Sequence, residues 1–577
     1  MPASVLDRIP GGYQLHAAAV ALRRRVGLEW SAAPLRHLLL AGPRPRGLGA
    51  SCRDLRPTDP EAGRRILAGA FAFEGETLAH GPRGDPWDQP SPSRRFAAAL
   101  HGFGWLKDLM AHGDAGAREG LRLSLAWRRV FGSWNIFSWE ARVLERRVFN
   151  LACNIAALSG PASEAEAELV SADLARQGRF LLGVRDAPER AAERAAAAAV
   201  AGAALGGRAG ERLLDQALGR LCDVLKRAVT ADGGHASRSP QAALELLFDL
   251  NTLDDALAQR RVTSPVELMR AIDRLSGAVR FFTLADGRLA AFQGGEALAA
   301  HYVAAAGAQD ELAERAVAVL RNGYHRLEAR SLQVIADAAP PAAGLWSIAA
   351  CGQPLAIEVL AGGKRLVVGS GWSPQAVGPQ ALRLVDAAST TAVGESSCGA
   401  PVGGFAGRVL GPRLRGGYEV VDVRRYEAPG ALWLELAHDG WARRFGLRHE
   451  RRLYLDIEAD ELRGEDRLTA LQPGDRAEGR RFVPFEVRFH LHPQVSALIA
   501  RDRKSVLLKA EGEEAGWWLR NDALDVALEP SVHHQDGVTR HGQQIVLRGQ
   551  ARLDAGAKVR WKLSAAAGRV DEPLSRE

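Results

Sequence analysis

A chain of 577 residues exceeds what one hydrophobic core can serve, so two to four domains are expected. Its 47% hydrophobic and 25% charged residues are the balance of an ordinary globular protein, and a net charge of +7 over that length fits a local basic groove better than the single basic stripe of a nucleic-acid binder. Five scattered cysteines, Cys52, Cys153, Cys222, Cys351 and Cys398, exclude a disulfide framework and the paired spacing of a zinc site.

Residues 1–92 read as a helical and irregular extension. An amphipathic, arginine-rich helix is expected from Leu15 to Val26. The apolar run Ala17 to Leu22 is short and closed by Arg23-Arg24-Arg25, the wrong order for a secretory leader, and no run approaches a membrane span. The expectation is a cytoplasmic protein, or a periplasmic one if an export signal precedes this sequence. Gly81-Pro-Arg-Gly-Asp-Pro-Trp-Asp-Gln-Pro-Ser-Pro92 carries every turn signal, with Trp87 expected to pack.

From 93 to 325 apolar residues recur at three- and four-residue spacing, with abundant alanine and glycine-containing breaks. Helices are expected over 95–112, 115–131, 139–159, 164–182, 187–206 and 210–229, successive ones antiparallel, as a toroid or solenoid. Within this half, His101-Gly-Phe-Gly-Trp105 and Trp134-Asn-Ile-Phe-Ser-Trp139 either line a groove whose rings stack on sugars or pack in the core. Arg142, Arg146 and Arg147 could supply such a groove's positive face; a solvated helix face is the alternative.

Between two of these helices lies Ala231-Asp-Gly-Gly-His-Ala-Ser-Arg-Ser-Pro240. Two glycines break the helix before it and Ser239-Pro240 starts the next, so His235, Ser237 and Arg238 sit on a short loop. An imidazole and a guanidinium at this spacing can converge on one carboxylate or phosphate. A solvated basic connection is the plainer reading of the same residues.

After about 325 the pattern changes to short alternating or β-branched runs, such as Tyr418-Glu-Val-Val-Asp-Val-Arg424 and Phe485-Glu-Val-Arg-Phe-His-Leu491, separated by turns at Gly362-Gly363, Asp439-Gly440 and Asp536-Gly537. Many short strands without intervening long helices mean an antiparallel sandwich. The predicted fold is therefore an α+β multidomain chain: a toroid-like helical domain over 93–325, then an antiparallel β-sandwich over 326–577. His533-His534-Gln-Asp536 and His541 lack a fixed ligand spacing and are expected to form a polar hairpin.

Seven pieces occur in a set order: His101-Gly-Phe-Gly-Trp-Leu106, Asp232-Gly-Gly-His-Ala-Ser-Arg-Ser-Pro240, Gly323-Tyr-His-Arg-Leu327, His438-Asp-Gly-Trp441, Leu447-Arg-His-Glu-Arg-Arg-Leu-Tyr-Leu455, Arg488-Phe-His-Leu-His-Pro493 and Gly542-Gln-Gln-Ile-Val-Leu547. In these the chain resembles the heparinase II/III-like family of bacterial polysaccharide lyases, over about residues 85 to 560. The resemblance implies an incomplete (α/α) toroid followed by an antiparallel β-sandwich. It also implies cleavage of an acidic, uronate-containing polysaccharide or oligosaccharide by β-elimination. There the C5 proton is removed once its neighbouring carboxylate is neutralised.

On this resemblance His235 is the carboxylate neutraliser, with Arg238 assisting. Tyr302 and Tyr324 are the nearest candidates for the base, Tyr324 being alternatively an anchor of the first sandwich strand. His438 is placed to reach the cleft from the sandwich, whereas His449 is expected to pack within a strand. His101, Trp105, Trp139 and Arg147 are the candidate substrate-binding residues. The family's sandwich histidines are missing: Ser347-Ile-Ala-Ala-Cys-Gly-Gln-Pro-Leu-Ala-Ile-Glu358 has none, and Ala388 stands before Ser389-Thr390 where another is expected. No metal is therefore expected there, no cofactor is expected, and the leaving-group acid is unassigned.

Four functions stay open. The first is a polysaccharide lyase. The second is a catalytically degenerate, glycan-binding relative, marked by the missing histidines. The third is a hydrolase using paired acids such as Asp232 and Glu245, and the last is nucleic-acid binding from the basic balance alone. A homodimer is also open.

Overall fold

The computed structural model describes residues 11–33, 40, 42–308, 317–374, 380–419, 421–471 and 481–566. An N-terminal helix, α1 (Gly12–Ala32), is followed by α2 (Arg94–Gly102), α3 (Gly113–Phe131), α4 (Ala141–Ser159), α5 (Glu164–Gly183), α6 (Ala191–Ala204), α7 (Gly207–Ala228), α8 (Pro240–Gln259) and α9 (Val266–Phe282). Alanine explains why α6 is central. Thirteen of its fourteen residues are buried, and small side chains let α4, α5, α7 and α8 pack directly around it. A methyl at Gly202 would stand 2.5 Å from the Leu214 nitrogen, so α7 closes on α6 through that glycine. Ser163 and Glu166 form a reciprocal capping box at the start of α5, and Ser239 caps α8 with Pro240 in its first turn.

The helices agree with the expected spans, with two differences. The span predicted over 95–112 breaks at Phe103, which takes left-handed backbone as the cap of α2, and resumes as a short helix at Leu106–Met110. The stretch before residue 92 is not outside the helical domain. Leu40, Cys52, Ile66, Phe71, Leu78 and Trp87 all enter its core, Phe71 from a hairpin of Ala70–Phe73 with Glu76–Ala79. Trp87 packs as expected, donating to the Leu123 carbonyl at 3.0 Å.

Among the described residues the second half forms two large antiparallel sheets, one of eight strands and one of nine, besides a two-stranded one of Gly399–Pro401 with Leu414–Gly416. Strand Leu447–Asp456 alternates buried and part-exposed residues without a break, the period-two signature of a sheet with one face in the core. The inner faces meet in one core that includes Leu453, Val487, Leu547 and Trp561. The first strands, Leu320–Arg321 and Tyr324–Glu328, begin a few residues before the predicted boundary.

Toroid and sandwich are tied by buried charge. Arg238, on the loop between α7 and α8, donates to Asp337 of the strand Leu332–Asp337 at 2.5 Å. It also donates to the carbonyls of Pro340 at 2.9 Å and Ala339 at 3.0 Å. Arg365 bridges Asp286 and Glu358. Arg288 reaches Asp536 at the tip of the hairpin Asp525–Gln535 with Val538–Arg552. These joints set the helical ring against the sandwich and leave a cleft between them.

Candidate functional site

The cleft is a cavity of about 600 Å³ lined by the α7–α8 loop, the inner ends of α2, α4 and α8, and the segment around Trp346 and Ile348 from the sandwich. Its loop is fixed by backbone geometry. Gly233 and Gly234 take φ of +87° and +117°, and a methyl at Gly234 would lie 2.5 Å from the Asn322 amide nitrogen. Asn322 in turn donates to the His235 carbonyl at 3.0 Å, so the first sandwich strands help hold the loop.

His235 sits at the wall, packed edge-on against Trp346 at 5.1 Å between ring centroids. Its Nδ1 accepts from the Ser237 backbone N–H at 3.2 Å and lies 2.7 Å from the Ser237 hydroxyl. Nδ1 is therefore the acceptor and Nε2 carries the hydrogen, a tautomer assigned from these partners. Nε2 has no partner among the described residues. Burial, with Arg190 nearby, pushes the His235 pKa down to about 3, so at neutral pH the ring is an uncharged donor.

Charge in the cleft is internally matched. Arg56, Lys107, Arg142, Arg146 and Arg190 are its cations. Asp54, Asp108, Glu189, Glu193, Glu245 and Asp249 are its carboxylates. Arg56 reaches Asp249 at 2.8 Å, Glu245 at 3.0 Å and Asp54 at 3.1 Å, and Arg146 contacts both Asp249 oxygens at 3.0 Å. Arg142 pairs with Glu189 at 2.9 Å, and Arg190 with buried Glu145 and Glu193. Arg146 and Arg56 hold the Asp249 carboxyl below its usual range despite burial. Tyr302 also lines the cleft, its hydroxyl 3.4 Å from Glu245 Oε1. Burial and the Glu245 charge push its pKa up, so its proton is held rather than poised to leave.

Of the other predicted residues, Trp105 lines the cavity but is almost wholly buried, its indole N–H bound to the Leu100 carbonyl. The rest are elsewhere. Tyr324 is fully buried under the Arg238 guanidinium and donates to the Arg238 carbonyl, so it is an anchor of the joint and not a base. Arg238 itself is saturated by Asp337 and carbonyls and has no group left for a substrate. His101 accepts from Trp127 at 3.0 Å inside an aromatic cluster, which favours the packing reading. Arg147, fully buried, donates to Gln177, Ser138 and His101, and Trp139 packs on Phe180. His438 lies in the sandwich core, its Nε2 3.1 Å from His449 Nδ1; His449 continues to Asp466 at 2.9 Å. It does not reach the cleft, because strand pairing places His438 opposite His449 on the inward face. Asp232 receives the Asn322 backbone N–H and does not line the cavity, so it forms no acid pair with Glu245. His533 and His534 are not on a solvated loop but buried in their hairpin.

Arg56 and Asp54 were not anticipated. They come from the stretch before residue 92, which carries no motif, and only its folding into the ring brings them to the cleft. Among the described residues, no group of three or more His, Cys, Asp or Glu is arranged to hold a metal.

A helical ring joined to an antiparallel sandwich is the fold shared with solved polysaccharide lyases. The chain belongs to the heparinase II/III-like family: residues 313–562 match the model of the heparinase II/III-like C-terminal domain. It is 51% identical over 564 residues, 97% of this chain and 98% of the other, to the FtsZ-localized protein C of Caulobacter vibrioides. Among solved structures it is similar to a heparinase III (TM-score 0.68, 13% identity, 98% of this chain and 93% of that one). It is also similar to the chondroitin AC lyase of Streptomyces coelicolor in complex with chondroitin sulphate (TM-score 0.51, 14% identity, 88% and 79%). At such identities these two likenesses show the shared fold.

Proposed function

We propose that this chain works beside FtsZ and uses the lyase scaffold to hold a saccharide without cutting it by β-elimination. The observation that carries this reading is the cleft's charge: its cations already face the chain's own carboxylates, and His235 is neutral. Elimination requires the uronate carboxylate to be neutralised and a base to take the C5 proton. A uronate entering here would meet no uncommitted cation and a tyrosine that retains its proton. Neutral sugar hydroxyls, which both donate and accept, suit paired ions set among Trp105, Trp346 and Phe73. The full-length relative named for FtsZ localisation supports the association with FtsZ. Five free thiols support the cytoplasm as the compartment.

A second reading, elimination with His235 bound to the substrate carboxylate and Tyr302 as base, is favoured by the unpartnered Nε2 of His235. Incubation with a panel of uronate polysaccharides, followed by ultraviolet absorbance of unsaturated products, separates the two. The expected result is no rise in absorbance, with saturable saccharide binding by calorimetry. A rise abolished by His235→Ala would establish the second reading. Co-sedimentation with FtsZ polymers tests the association; a chain left in the supernatant would refute it.

A further inference from the structure

Beside the cleft lies a second chamber of about 790 Å³, walled by α1, the loop after α5 and a sandwich segment running from α10 (Gly404–Leu410) to Arg413. It is built by this chain's own N-terminal helix. Tyr13, Ala17 and Val20 of α1 pack on Ala406 and Leu410 of α10. Arg24 ties the two sides together, bonding to Asp186 on the toroid at 3.2 Å and to the Val409 carbonyl on the sandwich. Arg142, Glu189 and Ile348 line both chambers, so the Arg142–Glu189 pair stands in a wall common to the two spaces.

The charge of the second chamber differs from that of the first. Its carboxylates, Glu140, Asp186 and Glu189, are each bound, to Arg94, Arg24 and Arg142. Four further arginines, Arg23, Arg185, Arg408 and Arg413, have no ion pair among the described residues. Arg413 is half-buried, and its Nε is buried without a hydrogen-bond acceptor. A buried guanidinium N–H without an acceptor is costly, and a fork of this kind fits a phosphate or carboxylate in two-point contact. Uncompensated positive charge on a concave wall concentrates the field on an entering anion. Trp30 and Trp134 also line the chamber, and indole rings of this kind can pack on a sugar.

We propose that this chamber is an anion site taking the phosphate or carboxylate group of a saccharide whose neutral rings lie in the cleft. The saccharide part rests on the function proposed above; the anion site stands on Arg413 and its chamber alone. In the bound state the Arg413 guanidinium donates to the oxygens of the anion, with Arg23 and Arg408 adding long-range attraction. The Arg142–Glu189 pair between the chambers separates the charged end from the neutral one.

The test is calorimetric titration of the full chain at low ionic strength with inorganic pyrophosphate, glucose 1-phosphate and glucuronate. Saturable one-site binding is expected, weakened about tenfold by Arg413→Gln, the loss of one charge-assisted hydrogen bond. Arg408→Gln, at an exposed position, keeps the test valid if Arg413→Gln misfolds; a weakening of about threefold is expected there. Arg503→Gln, remote on the sandwich, should leave binding unchanged. Preference for glucose 1-phosphate over glucuronate assigns the group as phosphate, and the reverse as carboxylate. Absence of saturable binding by any of the three, or equal weakening by Arg503→Gln, overturns the proposal. Because pyrophosphate needs no glycan, that failure is distinct from an elimination product appearing in the ultraviolet assay.

Discussion

Replacing Arg238 by alanine tests how much of the joint between toroid and sandwich rests on one buried cation. Arg238 sits at φ +65° on the α7–α8 loop, largely buried, and Asp337 is fully buried beneath it. The substitution removes the 2.5 Å ion pair and takes one donor from each of the carbonyls of Asn322, Gly323, Ala339 and Pro340, of which Gly323 keeps the Ala338 N–H and Ala339 the Tyr418 hydroxyl. Asp337 keeps only the Gln293 amide at 3.0 Å and the Ala339 N–H at 3.3 Å. An uncompensated buried carboxylate of this kind costs about 3–5 kcal/mol. The positive φ adds a second discriminator: glycine relieves backbone strain that alanine keeps, so Arg238→Gly should be less damaging by about 1 kcal/mol. Urea unfolding followed by tryptophan fluorescence reads both, with the earliest transition assigned to the joint. A loss under about 1 kcal/mol for Arg238→Ala, or a glycine variant worse than alanine, refutes the reasoning.

Three further outcomes follow from buried groups. Asp466 accepts from His449, Arg451, Trp561 and Thr391, and Arg451 with these donors holds its carboxyl well below the usual range against burial. A depressed carboxylate stabilises above its unfolded value near pH 4 and loses that contribution as pH falls further; Asp466→Asn should cost about 3–5 kcal/mol at pH 7, read by urea unfolding, and flatten the acid limb. Burial pushes His490 and His533 down to about 4. Between pH 6.5 and 4 the unfolded chain therefore takes up protons that these residues refuse when folded. Stability should fall through that window by about 3 kcal/mol per residue, measured as midpoint against pH, and His533→Gln should shrink the fall. Gly234→Ala forces a methyl onto Asn322 at a backbone conformation alanine resists, so saccharide binding should weaken about tenfold while far-ultraviolet circular dichroism is unchanged.

The order of elements was legible. Alanine-rich runs at helical spacing and later β-branched alternation give the ring and the sandwich, because both periods are local properties of the chain. The α7–α8 loop was legible too, from two glycines before His235 and Ser239-Pro240 after it. The roles of its residues were not equally so. His235 and Arg238 are three positions apart, yet one faces the cleft and the other is consumed by Asp337, ninety-nine residues away. Spacing along a loop does not say which side chain meets another domain.

The same limit applies to the charges. Sequence counts showed basic residues over acids but not which were matched, and matching is what separates the cleft from the chamber beside it. Arg56, from a stretch without a motif, closes on Glu245 and Asp249 nearly two hundred residues on. His438 carried a turn and a tryptophan that pointed to the cleft, and the pairing register turned it inward onto His449 instead. By itself the sequence determined the α-then-β order, the family and the histidine loop, because periodicity, turn chemistry and motif order are local. Only the tertiary structure decided which charges neutralise one another and which remain for a ligand, because ion pairing depends on distances of a few ångströms between residues far apart in the chain.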